Sequence, residues 1–296
     1  RTRVGLLVVF FLANHLAQSA SGFATELRIM SFNIRGDFDL EQATDSPEAW
    51  NSTTNRHRRD LVATTIREFD PNLLGVQEAF RHQIADLLTA LPGYKFSGVG
   101  RDDGQQAGEY SAILYQADRF RLVEAGNFWL SDSPDTAGSK HPDANYSRIA
   151  TWVVLADGKN DGRELFVLNT HWDHESEAAR NHSAKLVADR AAKLSAGRPV
   201  VVMGDLNTPE DSAPLATLLE SPLQLKDSYR ELAPQRAPTE ATNHAFAGQC
   251  TGSRIDFILF GGGLRVRKAS IVRTQYGDRY PSDHFPVTAV LKWAKN

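Results

Sequence analysis

Several apolar stretches of this sequence end in a polar residue that offers a lone pair or a proton. Met30-Ser31-Phe32 runs into Asn33, and Leu74-Gly75-Val76-Gln77 runs into Glu78. Phe166-Val167-Leu168 leads to Asn169 and His171, with Asp173 close behind. Val200-Val201-Val202-Met203-Gly204 leads to Asp205 and Asn207. Arg254-Ile255 precedes Asp256, and Ser282-Asp283-His284 precedes the last apolar run. Carboxylates and amides are hard oxygen ligands that suit magnesium or manganese rather than zinc. The histidines add a proton acceptor near neutral pH and a donor to a developing anion. Any one of these residues reads as a turn former or a helix cap; their number points to metal-assisted chemistry. Asp205 and Asn207 share one side if the chain stays extended. Asp283 and His284 are adjacent, so to share a side they must sit on a loop, as Pro281 suggests.

The elements that would position these groups are short, β-branched runs between turn clusters. The pattern predicts strands at Leu27–Asn33, Leu73–Gln77, Ser111–Tyr115, Ile149–Leu155, Glu164–Thr170, Val200–Gly204, Arg254–Phe260 and Val287–Leu291. It predicts helices at Arg56–Glu68, His82–Leu91 and Glu175–Ala196, and a short one at Pro214–Leu219. Many strands with few helices read as a two-sheet core with helices outside, not as a doubly wound parallel sheet. The polar stretches Asp37–Asn55, Asp132–Asn145 and Leu232–Gln249 read as long loops, which in compact domains are often functional.

Arg1 and Arg3 followed by an apolar run from Val4 to about Ala17, then small residues to Ala24, have the layout of a secretory signal. The expectation is a signal peptide over residues 1–24, a folded domain over 25–296, and a secreted or periplasmic protein. The run falls short of the roughly 20 apolar residues of a membrane span. Cys250 is the only cysteine, so no intrachain disulfide or Cys-rich zinc site can form, and a half-buried thiol is expected. Without residues 1–24 the formal charge moves from −3 to −5, because two Arg and no acid are lost. An acidic chain has no global attraction for nucleic acid.

The ordered set Asn33, Gln77-Glu78, Asn169-Thr170-His171, Gly204-Asp205-Leu206-Asn207, Arg254-Ile255-Asp256 and Ser282-Asp283-His284 resembles the endonuclease/exonuclease/phosphatase (DNase I-like) superfamily. Arg56 with Arg58-Arg59, Gly100-Arg101-Asp102-Asp103-Gly104, Gly108-Glu109, Phe128-Trp129-Leu130-Ser131 and Arg148-Ile149-Ala150-Thr151-Trp152 are similar to a bacterial secreted branch related to the deadenylase-like proteins. The resemblance spans about Leu27 to Leu291. It implies an α/β fold, a four-layer sandwich of two mixed β-sheets face to face with helices outside. It implies hydrolysis of a phosphoester by in-line attack of an activated water, with Mg2+ or Mn2+ as cofactor. Glu78 matches the principal metal ligand, Asn33 a group in the metal and phosphate shell, and Asp283 a further metal-site acid. Asp205 matches the residue that positions or deprotonates the water. Asn207 and His171 match groups that bind phosphoryl oxygens, joined by Arg148 as a further substrate contact. His284 matches the histidine over the scissile phosphate, and Asp256 the acid paired with it. The abasic-site endonucleases carry an Asp two residues after the Asn; here that position is Arg35.

Among the remaining residues, Arg101, Asp102 and Asp103 read equally as substrate contacts or as a charged surface turn. Trp129 and Trp172 read as packing residues, and His141, His174 and His182 as solvent-facing. Asp173 fits a place beside His171 or a loop cap, Glu109 a position lining the site, and Arg56 and Arg59 a solvated helix face. The expected protein is a monomeric phosphatase or phosphodiesterase. A DNase I-like nuclease is the first alternative, and a non-catalytic binding protein on the same fold the second.

Overall fold

The computed structural model describes residues 26–38, 48–52 and 57–294. The expected signal segment and Arg56 lie outside them. Strands and helices are numbered along the chain.

Two six-stranded mixed sheets face each other. The first runs in the order β11 (Leu264–Ile271), β12 (Val287–Trp293), β1 (Leu27–Asn33), β2 (Leu73–Ala79), β4 (Tyr110–Gln116), β3 (Tyr94–Ser97). The second runs β5 (Phe120–Trp129), β6 (Ile149–Asp157), β7 (Arg163–His171), β8 (Val200–Asp205), β10 (Asp256–Gly261), β9 (Lys226–Asp227). Helices α1 (Arg58–Phe69) and α2 (Arg81–Ala90) cover the outer face of the first sheet. Helices α3 (Glu177–Ser195) and α4 (Ala213–Leu219) cover that of the second.

The apolar runs are continuous because each central strand is buried on both faces. Ile29, Val201 and Met203 point into the core between the sheets. Their neighbours Met30, Val200 and Val202 point outward, under the helices. This is the expected four-layer α/β sandwich.

All eight predicted strands are present, although the seventh begins at Asp256 rather than Arg254. The four strands that the periodicity did not reveal are β3, β5, β9 and β11, the outermost strand at each end of each sheet. An edge strand carries charge and little apolar surface, which blunts pairing with other chains. Arg121, Leu122, Val123, Glu124 and Ala125 of β5 are exposed, as are Arg265, Arg267 and Lys268 of β11. Both strands also carry a bulge against their neighbour, between Leu122 and Glu124 and between Val266 and Lys268.

Register places the chemistry. β1 and β2 are parallel with Asn33 beside Gln77, and β7 and β8 are parallel with His171 beside Asp205. β10 runs antiparallel to β8 and sets Asp256 opposite Asp205. The ends of five strands from two sheets therefore meet at one edge of the sandwich. Among the described residues no helix is long and apolar enough to cross a membrane.

Candidate active site

Asn33 is fully buried at the end of β1 and uses its whole amide to hold its neighbours. Its Nδ2 donates to Glu78 Oε1 at 2.9 Å and to Asp205 Oδ2 at 3.0 Å. Its Oδ1 accepts from the Arg35 N–H at 3.1 Å. Glu78 takes a left-handed backbone (φ 60°) at a register shift between β2 and β4, which turns its carboxylate toward the opening. Burial pushes that carboxyl up, but the Asn33 amide, His284, Arg35 and the Gly36 N–H outweigh it and hold it below its ordinary value.

Asp205 lies at the centre of the cluster. His171 Nε2 is 3.5 Å and His284 Nε2 is 3.8 Å from its Oδ2. Burial and the nearby Asp256 raise its pKa to about 7, against the opposing pull of His284, Asn33 and the Asn207 N–H. His284 Nδ1 and Asp256 Oδ2 are 2.9 Å apart, so the carboxylate fixes the ring, and Nε2 on the cavity side meets the Asn243 side-chain amide at 2.8 Å. Burial alone would lower His284; Asp256, Asp205 and Asp283 raise it well above the usual histidine value. His171 shifts the other way, well below it, through burial and the charges of Arg148 and Arg101. Two histidines over one carboxylate are thus shifted in opposite directions.

The chain does not stay extended after β8. The Asp205 Oδ1 accepts the Asn207 N–H at 3.0 Å, and Asn207 is left-handed (φ 46°), so the two residues form an Asx turn. Asn207 still reaches the opening, with its Nδ2 tied to the Trp172 carbonyl at 3.1 Å. Asp283 and His284 lie on the expected loop before β12. The Ser282 hydroxyl donates to the Asn33 carbonyl at 2.7 Å and ties that loop to β1.

These groups floor a cavity of about 620 Å3 whose walls come from the loops. On one side stand Arg35, Phe38 and Phe80; on the other stand Arg101, Glu109, Tyr146, Arg148 and His174. Arg101 pairs with Glu109 at 2.7 Å and lies under the Tyr146 ring, 5.5 Å away. Arg148 Nη2 donates to His174 Nδ1 at 2.8 Å, and the His174 ring stacks on Tyr146 at 6.1 Å. His174 is therefore a wall residue, not merely a solvent-facing one. Arg101 resolves to the pocket, although part of its loop, Asp103, turns away to accept backbone N–H groups from Gln105 and Ala107.

Phe38, Phe80, Tyr146 and Asn243 gave no signal in the sequence. Phe38 and Asn243 sit inside the polar stretches and Tyr146 directly follows one, so only the long, unpatterned loops themselves hinted at a wall. Other expectations resolve toward structure. Asp173 Oδ1 accepts the N–H groups of Glu175 and Ser176 and caps the approach to α3. Trp129 and Trp172 are buried, and Trp129 Nε1 props the Arg101 carbonyl at 2.6 Å. Asn169 is spent on joining the sheets, donating to the Val76 and Ala112 carbonyls at 2.9 and 2.8 Å. Arg59 is solvated, His141 and His182 contact each other (ring centroids 5.1 Å apart) away from the cavity, and Cys250 is half-buried against the core.

The donor set suits a hard divalent ion. Glu78, Asp205 and Asp283 all line the cavity with carboxylate oxygens. Asp205, Asp256 and His284 also bring ligand atoms within 4.8 Å of one another. There, however, Asp256 and the His284 Nδ1 are already bound to each other, and Asp256 is 1% exposed. Of Glu78, Asp205 and Asp283, the first and last are the more open, with side chains 12% and 13% exposed against 2% for Asp205.

The model of the Endonuclease/Exonuclease/phosphatase family matches residues 30–284, nearly all of the sandwich and every site residue above. The chain belongs to that family. It is similar to an endonuclease/exonuclease/phosphatase from Bacteroides vulgatus, with 34% identity and a TM-score of 0.79 over 91% of this chain and 99% of that one. It is equally similar to the Bacteroides thetaiotaomicron mannosyl-6-phosphatase Bt3783, with 34% identity and a TM-score of 0.78 over 90% of this chain and 100% of that one. An uncharacterized protein of Acanthamoeba polyphaga mimivirus is 25% identical over 217 residues, 63% of this chain; the match spans 31% of the viral protein's length.

Proposed function

We propose that this protein hydrolyses a phosphate monoester of a small polar molecule, a sugar phosphate above all, with Mg2+ or Mn2+ held at Glu78. The observation that carries the reading is the surroundings of Asp205: a buried carboxylate, held by Asn33 at 3.0 Å, with His171 and His284 3.5 and 3.8 Å from its Oδ2. When bound, the ion would neutralise a phosphoryl oxygen and orient the group for in-line attack. Asp205 holds the attacking water and takes its proton. His284, cationic and fixed by Asp256, faces the phosphoryl group and stabilises the charge that develops there. His171 is neutral and donates without adding charge, and Asn207 completes the set. Asn33 acts by fixing Glu78 and Asp205 in place, since its oxygen already serves the Arg35 N–H. Arg148 and Arg101 supply the cationic wall against which a dianionic ester rests.

The substrate class draws support from shape and from kinship. A cavity of about 620 Å3 walled by Phe38 and Tyr146 fits a small ring-bearing molecule better than a duplex. The mannosyl-6-phosphatase matches over its whole length. An acidic chain disfavours a polyanionic polymer. The test is a panel of purified protein with magnesium against hexose 6-phosphates, inositol phosphates, sphingomyelin, RNA and plasmid DNA. Phosphate release from the hexose phosphates is expected; plasmid nicking at low protein concentration with no phosphate release would replace this reading with a nuclease. Residues 1–24 are proposed as an export signal, which N-terminal sequencing of protein recovered from outside the cytoplasm checks.

A further inference from the structure

Arg35 stands two residues after Asn33, and its backbone is held from every side. It adopts the left-handed conformation (φ 58°), which disfavours any side chain beyond Gly. Its N–H donates to Asn33 Oδ1 at 3.1 Å. Its carbonyl accepts from Arg58 Nη2 at 2.9 Å and from Gln83 Nε2 at 3.0 Å, and both of those side chains are buried. Arg58 also donates to the carbonyls of Ile34 and Pro281 and so ties this turn to the Asp283 loop. Such over-determination of an unfavourable backbone marks a side chain whose direction matters.

That direction is into the cavity. Arg35 Nη1 lies 3.6 Å from Glu78 Oε2 and its Nε lies 3.8 Å from Asp283 Oδ2, so one guanidinium bridges these two cavity acids. The guanidinium lies over the Phe38 ring, its carbon 4.9 Å from the centroid. The side chain is 43% exposed, so it is placed but not locked. Two carboxylates across a cavity need positive charge between them. A second divalent ion beside this guanidinium would meet like-charge repulsion that weakens it by about tenfold.

We propose that Arg35 is the built-in second cation of this site. The protein binds a single divalent ion at Glu78, while Arg35 stays on Asp283 and turns its free N–H groups toward the substrate's phosphoryl oxygens. This rests on the metal-dependent reading given above and fixes the number of ions.

The test is Mn2+ binding to the full chain without substrate, followed by the free-ion electron paramagnetic resonance signal and by calorimetry. Wild type takes up one ion. Arg35→Gln takes up one ion about tenfold more tightly, because the competing cation is gone, yet binds inorganic phosphate more weakly in the presence of Mn2+. Arg35→Lys behaves as wild type in both. Arg35→Asp gains a second ion. Thermal unfolding reports on the fold of each variant, and the backbone contacts of Arg35 do not depend on its side chain. Two ions in wild type, or an Arg35→Gln variant with unchanged Mn2+ and phosphate affinity, would overturn the proposal and leave the metal-dependent reading standing. A wild type that takes up no ion overturns both.

Discussion

The side-chain nitrogen of Asn33 lies 3.0 Å from Asp205 Oδ2, across 172 residues of chain and across the interface between the two sheets. The same nitrogen serves Glu78 at 2.9 Å. Asn33→Ala would leave two buried carboxylates short of a donor, at a cost of about 1–3 kcal/mol in stability. It would also release both acids from their positions. Denaturant unfolding and Mn2+ titration check this: both stability and ion affinity are expected to fall together, and an unchanged ion affinity would show that Asn33 does not set the site.

The pairing of Asp256 with His284 leads to a different outcome. Asp256→Asn keeps the volume but removes the charge that orients and protonates the ring. The turnover number is expected to drop by roughly 100- to 10,000-fold with KM little changed. Steady-state kinetics on whichever phosphate ester the panel identifies would show it. A loss confined to KM would assign the pair to binding instead.

The two kinds of residue at this site left different traces in the sequence. The floor was legible because Asn33, Glu78, His171, Asp205 and Asp256 each lie at an end of a buried strand and His284 lies just ahead of one, so an apolar run points at each of them. The walls were not, because Phe38, Tyr146 and Asn243 lie in loops whose course is set by packing rather than by periodicity. Arg35 was visible only as a departure from a related pattern. Its partners, Glu78 and Asp283, come from elements 43 and 248 positions away, which no local signal encodes. The same logic separates the eight predicted strands from the edge strands. Burial writes hydrophobicity into a central strand, whereas an edge such as Leu264–Ile271 is written in Arg and Lys.

Gly204, one residue before Asp205, has φ 149°, and a Cβ there would lie 1.9 Å from the Thr170 carbonyl oxygen. The absence of that carbon lets β7 and β8 approach at the point where His171 meets Asp205. Gly204→Ala is expected to destabilise the fold by about 3 kcal/mol and to lower activity. Gly93, with nothing within 4 Å of the added carbon, is the matched control and is expected to tolerate Ala. Equal melting temperatures for the two variants would contradict this account of the strand pair.

Stability should depend on pH in a direction set by the site. The Asp205 carboxyl is raised from 3.8 to about 7 in the folded protein. Folded protein therefore holds a proton that unfolded protein has lost, and the associated stability is present below the unfolded value and disappears as pH rises through about 7. His284 is raised as well and adds a loss of the same sign above the ordinary histidine value. Glu78 is lowered, so its contribution disappears only on acidification. His171 is lowered and works the other way, adding stability as pH rises toward the ordinary histidine value; in urea unfolding with EDTA, wild-type stability is therefore expected to fall relative to that of Asp205→Asn as pH rises from about 4 to about 7. A slope unaffected by that substitution would show that Asp205 is not the group involved.

The most direct measurement is inorganic phosphate release from a hexose 6-phosphate by wild type, Asp205→Ala and His284→Ala, each with magnesium and with EDTA. Turnover is expected from wild type with magnesium alone, with its loss in EDTA and in both variants while thermal unfolding stays close to that of wild type. Release that persists in EDTA, or near-normal turnover by both variants, would contradict a metal-dependent phosphoester hydrolase built around Asp205.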